Sequence, residues 1–311
     1  MTDAHRRRED SNRAAALRAE AESLGASLPP LLVAAEQLAS VVGLGVHGRR
    51  KAGSGETFWQ FRRYGAGDPA NMIDWRQSAK SRHLFVRERE WEAAEAVWFW
   101  CDPSPGMRFA STPTLDSKID RAKLLALALA SLLIRGGERV ALLGKDRAPA
   151  SGRAALTRMA HGIVEDVSGV EAMPPDLPIG RSAQLVWLGD FLSPLPDIEA
   201  AIRRLAGRGL KGHLVHLIDP AEEDFPYTGR TRFESAAAKQ SEIFGRAENI
   251  RADYCRRFRA QGDAVSAFAR RIGWNHLAHR TDQRPETALI ALYADLDGSL
   301  GFQTRTQSVV R

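Results

Sequence analysis

The sequence predicts an α/β protein built on a doubly wound, mostly parallel sheet, preceded by a small β-rich subdomain and an N-terminal helical arm. From residue 96 onward, short apolar segments alternate with longer segments whose apolar residues recur at helical spacing. The short segments are apolar almost throughout, rather than at every second residue. That pattern is typical of strands in a parallel sheet whose two faces are both covered by helices.

The N-terminal third carries the arm and the β-rich block. Residues 1–28 are rich in Ala, Arg and Glu and show no clear apolar stripe, which indicates a charged arm. A helix is predicted to begin at Pro29 and Pro30, and we group it with the block as residues 29–95. Short elements are predicted within the block: strands at 56–64 and 83–88, and a further element from Ile73.

Residues 96–296 carry the strand and helix alternation, and residues 297–311 form a polar tail. Strands are predicted at 96–101, 139–144, 183–189, 213–218 and 274–279, and helices at 116–135, 153–167, 196–207, 246–272 and 285–296. The polar segment 220–235 is predicted to form a hairpin. Parallel strands need crossover connections, so this order predicts helices on both faces of one sheet.

Three carboxylates stand at the ends of predicted strands. Asp102 and Asp219 directly follow apolar strands, and Asp190 follows the glycine that ends another strand. Because the carboxyl ends of parallel strands meet at one edge of a sheet, we expect all three side chains at that edge. Ligands of open α/β sheets bind there.

The amino-acid composition limits the classes of protein to which this chain can belong. The chain has 311 residues, of which 44% are hydrophobic and 26% charged, as in globular proteins. The net charge of +6 is modest for this length and is compatible with an acidic partner, a membrane surface or nucleic acid. Cys101 and Cys255 form no disulfide framework, and Cys101 is expected to be a buried thiol, so we predict a cytoplasmic location. No apolar stretch approaches the roughly 20 residues that span a membrane.

The block before the sheet resembles a known family. Its order of residues is Gly45-x-His47, Gly53-x-Gly55-Glu56-x-Phe58, Arg62-x-Tyr64-x-x-Gly67-Asp68 and Ile73-Asp74-Trp75-x-x-Ser78-Ala79. This order is similar to that of the bacterial family called domain of unknown function 58. The resemblance implies that a von Willebrand factor A-like domain follows the block. It also implies a partner, because members of the family are thought to work with MoxR-type AAA+ ATPases in assembling or maturing other complexes.

The resemblance further implies a metal site, from which this sequence departs. Von Willebrand A-like domains often bind Mg²⁺ through Asp-x-Ser-x-Ser after the first strand, a Thr of a second loop and an Asp after a later strand. The matching residues here are Asp102, Ser104 and Asp190. Gly106 replaces the second Ser, and Ser151 is the only hydroxyl candidate on the second loop. We interpret the set as a degenerate metal-ion-dependent adhesion site with no cofactor or with weakly bound Mg²⁺.

Charged residues of the block form the predicted partner-binding surface, which comprises Arg62, Asp68, Asp74, Arg76 and Arg87. Two interpretations of the Asp68 and Asp74 carboxylates stay open. Either these carboxylates brace the subdomain by pairing with nearby arginines, or they form a recognition surface for a partner or an acidic ligand. We assign bracing to Asp74 and place the three arginines on the partner-facing side.

These observations predict a cytoplasmic adaptor or scaffold that binds a protein partner, with an AAA+ ATPase as the implied partner. The sequence contains no H-E-x-x-H, P-loop or G-x-S-x-G motif that would indicate an enzyme. One alternative is a hydrolase-like enzyme that uses the strand-end pocket. Another is a nucleic-acid-binding protein that uses the basic, aromatic block, although acidic residues interrupt that block.

Two further patterns argue against bound cofactors. Residues 43–48 match G-x-G-x-x-G, but a predicted helix precedes them where a dinucleotide site needs a strand. His213 and His216 are three positions apart on a predicted strand, so we expect their side chains on opposite faces of the sheet, where they cannot hold one metal.

Overall fold

The computed structural model describes residues 30–43, 57–65, 73–80, 83–90, 95–165, 172–176, 183–234 and 241–296. The predicted arm, the predicted tail, Asp68 and the glycine-rich residues 44–48 lie outside these ranges. The described residues form two compact units: a small unit within residues 47–94 and a larger unit made of the described residues before 47 and after 94.

The described elements are, in chain order, α1 (residues 30–43), β1 (Thr57–Arg63), α2 (Trp75–Ser78), β2 (Phe85–Glu90), β3 (Ala96–Cys101), α3 (Lys118–Arg135), β4 (Arg139–Leu142), α4 (Arg153–Val164), β5 (Gln184–Gly189), α5 (Leu195–Ala206), β6 (Lys211–Ile218), α6 (Pro220–Asp224), β7 (Thr231–Glu234), β8 (Ser241–Phe244), α7 (Arg251–Ile272), β9 (Asn275–Arg280) and α8 (Pro285–Leu296). Two 3₁₀ turns, Pro105–Arg108 and Ala247–Ile250, lie between them.

The predicted doubly wound parallel sheet is confirmed. Its five strands lie in the order β4-β3-β5-β6-β9, and every neighbouring pair is parallel. The chain first passes from β3 to β4 on one side and then crosses to β5 on the other side of β3. The strand order therefore reverses between β3 and β5, and the carboxyl ends of these two strands border the place where such sheets bind ligands.

Helices cover both faces of the sheet, as the apolar strands predict. One core joins α1, α3, α4 and α8 to side chains such as Phe99, and the other joins α5 and α7 to side chains such as Trp98 and Trp100. Neighbouring residues of β3 thus contribute to different cores, as the alternation of a strand requires.

Helix α1 belongs to the larger unit, which corrects the predicted grouping of this helix with the block at 29–95. Its residues Ala35, Leu38, Ala39 and Val42 are buried in the same core as α3. The physical reason is that an amphipathic helix buries its apolar face where a core is available, whatever its place in the sequence.

The predicted hairpin also differs from the observed structure. The segment after β6 begins with α6, and β7 pairs antiparallel with β8 beyond the predicted end at residue 235. In the small unit, β1 and β2 form an antiparallel pair that runs from Thr57 opposite Glu90 to Arg63 opposite Phe85. Helix α2 lies between these two strands in the chain.

Candidate functional site

The carboxyl edge of the five-stranded sheet gathers the three predicted carboxylates. Asp102 follows β3, and its backbone N–H donates to the Leu188 carbonyl of β5 at 2.8 Å. Asp190 follows β5, the neighbouring strand, and Asp219 follows β6. All three are at most 5% exposed. We call this place the sheet edge.

The turn after β3 packs tightly against the end of β5. The Ser104 backbone N–H donates to Asp102 Oδ1 at 2.8 Å, which holds the first carboxylate in the turn. A Cβ atom on Gly106 would lie 3.0 Å from Asp190 Oδ2. The structure therefore brings Asp102, Ser104 and Asp190 together, and Gly106 lies where a side chain would press on the Asp190 carboxylate.

A lysine that the sequence does not single out lies at the centre of the sheet edge. Lys118, the first residue of α3, has a fully buried side chain. Its Nζ lies 3.1 Å from Asp190 Oδ2 and 2.5 Å from Glu222 Oε1. A buried ammonium is tolerated only when anions pair with it, and these two carboxylates supply that pairing.

Glu222 connects the ammonium to the end of β6. Its Oε2 accepts from the Asp219 backbone N–H at 3.0 Å, while Asp219 Oδ1 accepts from the Ala221 N–H at 2.8 Å. This reciprocal pair is the capping box of α6. The other Asp219 oxygen accepts from the Ser111 backbone N–H at 2.8 Å. Asp219 is thus a structural carboxylate that joins two loops of the sheet edge.

The electrostatics of the sheet edge disfavour additional negative charge. The pKa of Asp102 is raised to about 7, mainly by burial and also by the nearby Asp190, against the lowering effect of the Ser104 N–H. Burial likewise raises the pKa of Glu222, while Lys118 lowers it. A charged Glu222 carboxylate therefore needs a positive partner, and the Lys118 ammonium is the cation that contacts Glu222 and Asp190.

The residues predicted to hold Mg²⁺ do not fit that ion. The Lys118 ammonium already binds the Asp190 oxygen that would be a ligand. Ser151 is exposed and follows Ala150, which pairs with Val140 near the amino end of β4, so it lies away from the sheet edge. Among the described residues, no group of three or more His, Cys, Asp or Glu side chains could hold a metal ion.

The predicted placement of the two histidines is confirmed. His213 contacts Asp295 of α8 through Nδ1 at 2.6 Å. His216 packs on the other face of the sheet, with its ring centroid 5.6 Å from that of Phe191 and 5.6 Å from that of His276.

Cys101 is half-buried, whereas the sequence predicts a buried thiol, because the residue lies at the margin of the α3-side core. Burial nevertheless raises the pKa of its thiol to about 12, so this cysteine is a poor nucleophile.

The predicted partner-binding residues belong to the small unit. Asp74 is half-buried and caps α2, because its Oδ1 accepts from the Gln77 backbone N–H at 3.0 Å. Arg76 is exposed on α2, and Trp75 beside it is 66% exposed. Arg62 lies on β1 opposite Val86, and Arg87 lies on β2 opposite Phe61.

Comparison with known proteins gives a family match and several relatives. The family model described as "Protein of unknown function DUF58" matches residues 60–264. "Uncharacterized protein Rv1480" of Mycobacterium tuberculosis and "Uncharacterized protein Mb1516" of Mycobacterium bovis are each 25% identical over 275 residues, which cover 84% of this chain and 86% of theirs.

Two solved structures align with this chain at low similarity. An aerotolerance-related membrane protein from Bacteroides fragilis, crystallised with multiple mutations to serine, aligns over 66% of this chain and 100% of its own, with 14% identity and a TM-score of 0.39. The conserved hypothetical protein BatB from Bacteroides thetaiotaomicron aligns over 66% of this chain and 98% of its own, with 12% identity and a TM-score of 0.35. Among the described helices of the present chain, none has the length and apolar character needed to cross a bilayer.

Proposed function

This chain belongs to the DUF58 family, and we propose that it is an adaptor that binds a protein partner through helix α2 of its small unit. The observation that carries the proposal is Trp75, whose side chain is 66% exposed. A tryptophan left in water exposes a large apolar surface, and such residues dominate the binding energy of protein interfaces when a partner covers them.

The surroundings of Trp75 support the same role. Arg76 is exposed next to it, and tryptophan and arginine are the residue types most enriched among interface hot spots. Asp74 caps the helix from its N-terminal side, so the helix that carries both residues is fixed before a partner arrives. Arg62 and Arg87 belong to the same proposal, but Arg87 lies opposite Phe61 and Arg62 opposite Val86, so the two arginines lie on opposite faces of the strand pair. In this proposal an acidic partner therefore contacts one of the two.

The proposed partner is a MoxR-type AAA+ ATPase, and the proposed setting is the cytoplasm. The resemblance of the block to its family supports this partner class, with assembly or maturation of other complexes as the outcome. We further propose that the larger unit is von Willebrand A-like. Its parallel strand order and the Asp102-x-Ser104 turn at the sheet edge support that assignment.

The arrangement of the sheet edge favours an adaptor over a hydrolase. Asp190 is bound by Lys118, and Asp219 caps α6. Asp102 accepts from the turn that follows it. Both oxygens of Asp190 and both oxygens of Asp219 already accept hydrogen bonds, so either residue would have to give up such a contact to act as a general base.

Binding to a purified MoxR-type AAA+ ATPase from the same organism tests the proposal. Trp75→Ala and Arg76→Glu should each weaken binding by about tenfold or more, as loss of a hot-spot residue does. The matched controls are Val41→Ala and Arg259→Glu, which change an exposed apolar and an exposed basic residue of the larger unit. All four variants should melt within a few degrees of the native protein. Equal binding by all four variants would contradict the proposed surface.

A further inference from the structure

We propose that the outward face of α7 is a second docking surface, which takes an acidic helix of a partner protein other than the ATPase. The inference goes beyond the adaptor proposal, because an adaptor joins two molecules and needs a surface besides the one around α2. The observations on α7 concern the larger unit alone, so the two proposals rest on different residues and fail separately.

Helix α7 is anchored on one side and open on the other. Its inward residues Val265, Phe268 and Ala269 are buried in the core shared with α5. An open groove of about 800 Å³ follows the outward side of its first half. The residues that line the groove belong to α7 or to the 3₁₀ turn before it, and no other described element covers them. The surface is thus held rigidly before a partner arrives, which lowers the entropic cost of binding.

The charges of the groove follow one order along the helix. Arg251, Arg256 and Arg259 occupy its middle, and Glu248 and Asp263 stand at its two ends. Because a helix rises about 1.5 Å per residue, Arg251 and Arg259 lie about 12 Å apart along the axis. A partner helix with acids on three successive turns spans the same length. The complementary helix therefore carries acids in its middle and a basic residue beyond each end.

The guanidinium groups of the groove are available to such a partner. All three arginines are exposed, and those of Arg251 and Arg259 have no ion-pair partner among the described residues. Arg256 Nη2 lies 2.6 Å from Asp253 Oδ1, but the two side chains are 70% and 65% exposed. An ion pair this exposed contributes little to stability, so an incoming carboxylate can replace it.

Short side chains beside the arginines let a helix approach closely. Ala252 and Ala260 line the groove and are exposed. The distance between the axes of packed helices depends on the side chains at the contact, and alanines bring it toward the lower end of about 8–10 Å.

The two carboxylates at the ends of the groove favour a protein helix over a nucleic acid or an anionic membrane. Phosphates carry one sign of charge along a whole strand, so Glu248 and Asp263 would repel them. Glu248 is also fixed in place, because its Oε2 accepts from the Gly229 backbone N–H at 2.8 Å. No aromatic side chain is among the described residues that line the groove, so bases would find no stacking platform.

Fluorescence anisotropy with a labelled synthetic helix tests the inference. The probe is an alanine-based helical peptide with glutamate on three successive turns of one face and a lysine one turn beyond each end. Its control is a peptide of the same composition with these residues scattered around the helix. At physiological ionic strength, we expect the native protein to bind the patterned peptide at least about tenfold more tightly than the scattered one.

Variants of the full chain locate the binding. Arg259→Glu should weaken binding of the patterned peptide by about tenfold or more and leave ATPase binding unchanged. One of the three peptides with a single glutamate changed to lysine should bind Arg259→Glu more tightly than it binds the native protein. The matched control is Arg257→Glu, because Arg257 is exposed on the same helix but does not line the groove. Arg257→Glu and Trp75→Ala should both bind the patterned peptide like the native protein.

Several results would overturn the inference. One is no binding of the patterned peptide, or equal binding of both peptides. Another is an equal loss in Arg257→Glu and Arg259→Glu, which would mean that only net charge matters. A third is a thymidine oligonucleotide or a phosphatidylglycerol vesicle that binds more tightly than the patterned peptide and is lost in Arg259→Glu. Peptide binding by a native protein that does not bind the ATPase would support this inference and contradict the ATPase partner.

Discussion

Buried histidine at residue 216 makes the stability of the larger unit depend on pH. The side chain is 3% exposed and packs among the rings of Phe191, Phe258 and His276. The pKa of His216 is lowered from its ordinary value of 6.5 to about 3, mainly by burial and also by the neighbouring His276 and Lys118. The folded protein therefore keeps this imidazole neutral under conditions in which the unfolded chain would protonate it.

The direction of the pH effect follows from that difference. As the pH falls from about 6.5 toward about 3, the unfolded chain takes up a proton at residue 216 and the folded protein does not, so stability is lost in this window. His216→Leu should remove this contribution. Urea unfolding at neutral pH and near pH 4.5 should show the native protein losing about 2–3 kcal/mol more than the variant. Parallel losses in the two proteins would contradict the assignment.

The sequence predicts part of the candidate site at this scale. The convergence of Asp102 and Asp190 follows from the rule that parallel strands end at one edge. The place of Lys118 in the site is not predicted, because a lysine at the start of a helix is usually exposed and its partners lie 72 and 104 positions away. Two features of the sequence nonetheless indicate where Lys118 lies. Ser117 caps α3, and a helix that follows a parallel strand begins at the carboxyl edge of the sheet.

Strand β6 and the residues before β9 show how closely the elements pack. A Cβ atom on Gly212 of β6 would lie 2.0 Å from Trp274 Cε3. The indole is 2% exposed, and its Nε1 donates to the Leu210 carbonyl at 3.0 Å. A rigid, buried ring fixed by a hydrogen bond has little freedom to move away, so only glycine fits at this position of the strand.

Gly212→Ala should therefore destabilise the larger unit by about 1–3 kcal/mol or more, because the added methyl group must displace the Trp274 ring. The control is Gly245→Ala, at a position where an added Cβ meets no atom within 4 Å. Urea unfolding of the two variants measures the difference. Similar free energies of unfolding for both would show that β6 accommodates the methyl group and that the close packing is not limiting.

Some of the helices and strands are predicted from the sequence and others are not. The strands of the five-stranded sheet and the helices α3, α4, α5, α7 and α8 are predicted to within about five residues at each end, because their apolar patterns are strong. The assignment of α1 to the larger unit is not predictable from chain order, since it depends on which core its apolar face contacts. Helix α6 is missed because its five residues are too short for a periodic pattern, although Asp219 and Glu222 form its capping box.

On the scale of the whole molecule, two compact units carry different features. The small unit presents Trp75 and Arg76 to solvent, while the sheet edge of the larger unit is occupied by the Lys118 ion pairs. The fold class follows from the sequence because the strand pattern is repeated five times. The partner-binding role of the block remains a prediction, because surface complementarity depends on a second molecule whose shape this chain does not encode.

In the proposed complex the partner docks on the small unit around α2. Hydrogen–deuterium exchange of the full chain, with and without the purified AAA+ ATPase, tests this docking most directly. We expect the partner to slow exchange in residues 73–80 and to leave exchange at the sheet edge, residues 102–111 and 190–192, unchanged. Protection confined to the sheet edge, or no change in either segment at saturating ATPase, would contradict it.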